Sequence, residues 1–119
     1  MARTIVRLYG IVFVVVGIIG FFNDPVFGLF EVDTAHNLVH LVSGLLALIM
    51  SRSEGGARTY AKLFGIVYGV VTVWGFLNGS GQVLGMDTNG ADNILHLILT
   101  LPLLYVGFMG RSRPAIEAM

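Results

Sequence analysis

Residues 33–40 read DTAHNLVH, and a related stretch, NGADNILH, follows at residues 89–96. Each stretch stands at the start of a long apolar run, and together they contain all three histidines of the chain. They are the places where ionisable groups enter sequence that is otherwise apolar enough for a membrane. These two stretches therefore indicate both how the chain is organised and where polar chemistry could occur.

The composition predicts a single integral membrane domain over residues 1–119, with the lipid bilayer as its surroundings. The chain is 55% hydrophobic and only 12% charged, whereas soluble domains carry about 25% charged residues. Its formal net charge is zero, so no basic patch for nucleic acid is expected. The chain has no cysteine, which excludes disulfides, cysteine-ligated zinc and iron–sulfur clusters.

Four apolar runs are each close to the ~20 residues that a helix needs to cross the hydrocarbon core. Their continuous character argues against a β-barrel, in which apolar and polar residues alternate. The sequence therefore predicts an all-α transmembrane four-helix bundle, with helices at about residues 4–22, 35–50, 60–77 and 91–109.

The basic residues predict the orientation of this bundle. Every Lys and Arg falls before the first run, between the second and third, or after the fourth: Arg3, Arg7, Arg52, Arg58, Lys62, Arg111 and Arg113. The charged residues of the remaining two loops are all acidic, namely Asp24, Glu31, Asp33 and Asp87. Because basic loops stay in the cytoplasm, both termini are expected to be cytoplasmic.

The chain also reads as a tandem repeat. Residues 3–23 align with residues 58–78 at an offset of 55, and 11 of these 21 positions are identical. The offset becomes 56 in the following run, so repeat 1 covers about residues 3–50 and repeat 2 about residues 58–109. Each repeat has two spans, which predicts parallel two-helix repeats related by a pseudo-two-fold axis along the membrane normal.

Small and aromatic residues give three lesser expectations. The spacing Gly65-x-x-x-Gly69 suits close helix packing, either inside the bundle or in a homo-oligomer or larger membrane complex. Tyr9, Tyr60 and Tyr105 are expected in an aromatic belt at the membrane interface. The glycine-rich residues 78–89 are expected to form a flexible loop.

The histidines form the candidate site. His36 and His40 are four residues apart and share a helix face, as do Asp92 and His96. If the repeats face each other, these four side chains converge in the outer leaflet. One interpretation is a transition-metal site for Zn²⁺, Cu²⁺ or Fe²⁺ that uses all four. Another is haem b, with His40 and His96 as axial ligands. A third is a proton or solute relay, which is disfavoured because few polar residues continue towards the inner side.

A structural interpretation stands beside these and is the leading hypothesis. Histidine and asparagine near a helix start can hydrogen-bond across a bundle, and Asp33, Thr34 and Asn89 fit helix N-caps. Asp33, Asn37 and Asn93 would then belong to a polar network that locks the repeats together in a non-enzymatic accessory module. A metal or haem protein is the main alternative. An enzyme comes third, because no nucleophile or acid–base motif is present.

Four segments carry a resemblance to a known family: FGLFEV at residues 27–32, HNLVH at 36–40, GLL at 44–46 and ADN-x-LHL at 91–97. In these segments the chain resembles the small four-span bacterial membrane proteins grouped as domain of unknown function 4383. The resemblance covers nearly the whole chain and implies an inner-membrane location with four helices. It implies no activity.

Overall fold

The computed structural model describes residues 1–23, 33–78, 81–83 and 86–109. It confirms an all-α fold with four helices: α1 (Ala2–Phe22), α2 (Thr34–Met50), α3 (Glu54–Asn78) and α4 (Gly90–Leu104). A π-helical turn, Tyr105–Met109, continues α4 beyond Pro102. Between α3 and α4 lie two short strands, β1 (Gly81–Val83) and β2 (Met86–Thr88).

Three of the four helices have the length of membrane helices, and the outside of the bundle is apolar. Three segments are long and apolar enough to cross a membrane, Ala2–Phe22, Glu54–Asn78 and Gly90–Met109, whereas α2 is apolar but has 17 residues. Large aliphatic side chains such as Ile18, Val73 and Ile98 are exposed on the outside. Lipid is the solvent that accepts such a surface without cost.

The helices form two pairs, which we call the first pair (α1 with α2) and the second pair (α3 with α4). Glycines allow the close approach inside each pair. A Cβ on Gly10 would lie 2.9 Å from Leu48, and a Cβ on Gly65 would lie 2.9 Å from Leu104. Gly69 also faces α4, at Thr100. Gly65 is therefore buried inside the second pair, and Gly69 is half-buried beside α4.

α1 and α3 begin at the same end of the bundle, where the Ala2 backbone N–H donates to Glu54 Oε1 over 3.0 Å. Near that end, Arg3 Nε donates to the backbone carbonyl of Ser51, just beyond α2. The opposite end, where α1 and α3 finish and α2 and α4 begin, is called the histidine end below. It carries the two stretches that indicated the candidate site.

Aromatic side chains fill the space between the two pairs. Tyr9 Oη donates to the Leu99 carbonyl over 2.6 Å, and Tyr60 Oη donates to the Ser43 carbonyl over 3.0 Å. Tyr60 is 0% exposed, so its predicted place in an interface belt is wrong. Its hydroxyl group reaches a backbone carbonyl across the bundle, which makes burial of the phenol acceptable in an apolar interior. Tyr105 is exposed.

The expectation of a flexible loop at residues 78–89 is also wrong for its described part. β1 and β2 pair antiparallel, with Gly81 opposite Thr88 and Val83 opposite Met86. β1 packs on α3 and β2 packs on α2. Val83 and Thr88 are buried, so this small hairpin covers part of the histidine end.

Candidate metal site

The three histidines converge at the histidine end of the bundle. His36 and His40 come from the first two turns of α2, and His96 comes from the second turn of α4. Their exposed fractions are 2%, 4% and 3%. One possible ligand atom of each lies within 4.8 Å of the other two. The predicted convergence of these residues from the two pairs is therefore found in the structure.

Side-chain caps fix where α2 and α4 begin and hence which way the histidines point. Asp33 Oδ1 accepts a hydrogen bond from the His36 backbone N–H over 2.7 Å. Asn89 Oδ1 accepts from the Asp92 N–H over 2.9 Å, and Asp92 Oδ2 accepts in return from the Asn89 N–H over 3.0 Å. The second arrangement is a capping box. Of the three N-cap candidates in the sequence, Asp33 and Asn89 are confirmed, whereas Thr34 is the first residue of α2.

Asp92 has a different position from the one its sequence spacing suggested. Its carboxylate is buried but takes part in the capping box. It does not belong to the group of ligand atoms that lie within 4.8 Å of one another. Among the described residues, the set that the structure brings together is the three histidines, with Asp92 one helical turn before His96.

Asn37 and Asn93 pack against glycines inside their own pairs. Both are 3% exposed, and their Oδ1 atoms have no N–H or O–H partner among the described residues. A Cβ added to Gly20 would overlap Asn37 Oδ1, and one added to Gly75 would overlap Asn93 Oδ1. Each oxygen thus faces a glycine backbone, close enough for a weak Cα–H contact.

Two aromatic side chains, Phe13 and Tyr68, close the site on the side of the bundle interior, and we call them the aromatic floor. The Phe13 ring stacks on His40 with centroids 5.6 Å apart and on Tyr68 with centroids 5.4 Å apart. The centroid of the Tyr68 ring lies 6.0 Å from that of the His96 ring, and the Tyr68 hydroxyl donates to Ser43 Oγ over 3.3 Å. Phe13 and Tyr68 are not among the site residues predicted from the sequence, although they occupy matching positions in the two aligned segments.

The arrangement has the donor atoms for a metal ion. The Nδ1 atoms of His40 and His96 are buried and have no hydrogen-bond partner in the described part of the chain. Metal–imidazole bonds of ~2.0 Å place nitrogens around one ion roughly 3.4 Å apart. The three ligand atoms, all within 4.8 Å of one another, are close to that arrangement. An ion would also satisfy nitrogen lone pairs that are otherwise costly to bury.

The comparisons with known proteins identify the family. No curated protein and no solved structure matches the chain. A family model matches residues 3–109, which includes both histidine stretches and all four helices. The resemblance seen in the sequence is thus confirmed, and the chain belongs to the family described as domain of unknown function (DUF4383).

Proposed function

We propose that this protein is a membrane-embedded metal-binding module, in which His36, His40 and His96 hold a transition-metal ion between the two helical pairs. The convergence of three buried imidazoles within 4.8 Å carries this proposal. Imidazole suits zinc, copper and iron. Ionisable side chains inside membrane helices are costly to bury and are often functional.

The packing favours a bare ion over haem. Axial ligation by His40 and His96 would require a porphyrin plane between their rings. The His36 ring lies 4.4 Å from the His40 ring and 6.0 Å from the His96 ring, measured between centroids. It therefore fills space that the porphyrin would need, whereas a single ion uses His36 as a third ligand.

The second candidate is the structural role that the sequence favoured. Its support is the stack of His40 on Phe13, which in turn stacks on Tyr68 of the second pair. In this role the histidines only join the two pairs, and their removal lowers the stability of the bundle without the loss of any ion. The two candidates therefore differ in whether the folded protein retains metal.

Elemental analysis of the detergent-purified protein separates the two functions. After metals are offered during expression, the wild type is expected to retain about one ion per chain, as in other histidine sites. The double variant His40→Ala/His96→Ala should retain none while circular dichroism still shows a helical protein. The matched control is Thr100→Val, which alters a buried side chain one turn beyond His96. If the wild-type protein is folded but free of metal, the metal-binding function is ruled out and the structural role remains.

We also propose that the two pairs are the parallel repeats predicted from the sequence. Matching contacts support this. The contact of Gly20 with Asn37 corresponds to that of Gly75 with Asn93. The ring contact of Phe13 with His40 corresponds to that of Tyr68 with His96, and the contact of Gly10 with Leu48 to that of Gly65 with Leu104.

For the orientation, we propose four spans in a bacterial inner membrane with both termini in the cytoplasm and the histidine end outside. The charge pattern supports this, although Asp24, Glu31, Arg111 and Arg113 lie outside the described residues. Two glycines suit a cysteine test, because nothing lies within 4 Å of a Cβ on Gly55 or Gly90, and the chain has no other cysteine.

A membrane-impermeant maleimide is expected to label Gly90→Cys in intact cells and Gly55→Cys only after the membrane is opened. The two substitutions are a matched pair, because each glycine stands in the first turn of its helix. Labelling of Gly55→Cys alone in intact cells would show that the orientation is the reverse of the proposed one.

A further inference from the structure

The donor set at the histidine end is neutral, and we infer from it that the ion is monovalent copper, Cu⁺, with the Met86 thioether as a further soft donor. This inference deepens the proposed metal function and depends on it. It concerns the charge of the ion and the chemistry that selects it.

Charge is the first argument. The cost of moving an ion from water into an apolar interior grows with the square of its charge, so a divalent ion costs roughly four times as much as a monovalent one. Three neutral imidazoles do not offset any of the charge of the ion. The buried carboxylate nearest in sequence, Asp92, is one turn from His96 and balances a single charge. Asp33 caps α2 and is partly exposed, so water screens its charge.

Coordination number is the second argument. Zn²⁺ in structural sites is almost always held by four nitrogen, thiolate or carboxylate ligands, and in catalytic sites by three such ligands and a water. Among the described residues the trio of ligand atoms is His36, His40 and His96, without a carboxylate or thiolate. Cu⁺ has a filled d shell and accepts three ligands in a plane. Three imidazoles therefore satisfy Cu⁺, which can also accept a thioether as a further ligand, whereas Zn²⁺ on three histidines needs a water in the fourth position, and the three histidines are only 2%, 4% and 3% exposed.

Met86 supplies the third argument, because it stands on the strand that covers the histidine end. In the hairpin Met86 pairs with Val83, and Thr88 follows two residues later on the same face of the strand. Val83 and Thr88 are buried and Met86 is half-buried. That face therefore points into the bundle, and β2 packs on α2, the helix of His36 and His40. Thioether sulfur is a soft ligand that selects Cu⁺.

The test compares affinities for Cu⁺ and Zn²⁺ in the purified full-length protein. Cu⁺ is measured anaerobically with ascorbate against bathocuproine disulfonate, and Zn²⁺ against a chromogenic zinc chelator. Wild-type protein is expected to bind Cu⁺ at least ~10-fold more tightly than Zn²⁺, and the copper-loaded protein to be silent in electron paramagnetic resonance. Tighter binding of Zn²⁺, or a Cu²⁺ resonance in the presence of ascorbate, would overturn the inference while leaving a metal protein. No binding of any ion would instead overturn the proposed function.

A methionine substitution tests the soft donor by itself. Met86→Leu keeps the size and the apolar character of the side chain. It is expected to weaken Cu⁺ binding by about 10-fold and to leave Zn²⁺ binding unchanged, because only Cu⁺ prefers sulfur. Met109→Leu, at an exposed methionine at the other end of the bundle, is the control. Equal Cu⁺ affinity for Met86→Leu and wild type would remove Met86 from the site.

Discussion

Gly75→Ala is expected to destabilise the protein by about 3 kcal/mol, at the upper end of what overpacking costs. The new Cβ would overlap Asn93 Oδ1 and lie 2.8 Å from Asn93 Cγ. The amide would have to leave its buried position or push α3 away from α4. Thermal and denaturant unfolding in detergent, followed by circular dichroism, measure the loss. Gly20→Ala should behave alike in the first pair, because its Cβ would meet Asn37 in the same way.

Gly69→Ala is the matched control on the same helix. The nearest heavy atom to its new Cβ is Thr100 Cγ2 at 3.6 Å, an ordinary van der Waals contact. Alanine is favoured over glycine inside a helix by up to ~1 kcal/mol, so this variant should be as stable as the wild type or more stable. If Gly75→Ala and Gly69→Ala are equally stable, the close contact with Asn93 does not hold α3 against α4.

A second substitution shows whether the overlap with Asn93 is the cause. Shortening Asn93 to alanine removes the atoms that the new Cβ would meet, so Gly75→Ala/Asn93→Ala should be more stable than Gly75→Ala alone. Such non-additivity is the expected sign of two residues in direct contact. Strict additivity of the two losses would point to separate causes.

The sequence was sufficient to predict the helices and the shared face of the histidines. The apolar runs have membrane length, and their charges lie at the ends. Spacing of four residues places His36 and His40 on one face without knowledge of the partner helix. The caps at Asp33 and Asn89 were recognisable for the same local reason, since a cap needs only its own first turn.

Contacts between residues of different helices could not be predicted from the sequence. Tyr60 was assigned to the membrane interface because a tyrosine suits both an interface and a buried site with an acceptor. Which applies depends on whether a carbonyl such as that of Ser43 lies opposite. Asn93 facing Gly75 needs the separation of two helices to better than an ångström, which periodicity does not encode. Strands of three residues are too short to show alternation.

Phe13→Ala is expected to cost about 2–3 kcal/mol of stability, less than the ~3–5 kcal/mol that the same change costs in soluble proteins. Phe13 is buried and stacks on His40 and Tyr68, so it joins the first pair to the second. Inside a membrane the loss comes from missing dispersion contacts and an unfilled cavity, because the bundle is surrounded by apolar lipid in any case. Unfolding in detergent measures this loss of stability. The control is Val15→Ala, a lipid-facing change on the same helix.

The milder variant Phe13→Leu connects this floor to the metal site. Leucine fills most of the volume, so the loss of stability should be smaller, about 1 kcal/mol. It cannot stack on the His40 imidazole, and a flat partner is what fixes the plane of that ring. In Phe13→Leu the free energy of metal binding should therefore change by more than the free energy of unfolding. A variant that loses stability but keeps the affinity of the wild type would show that Phe13 supports the bundle alone and does not orient His40.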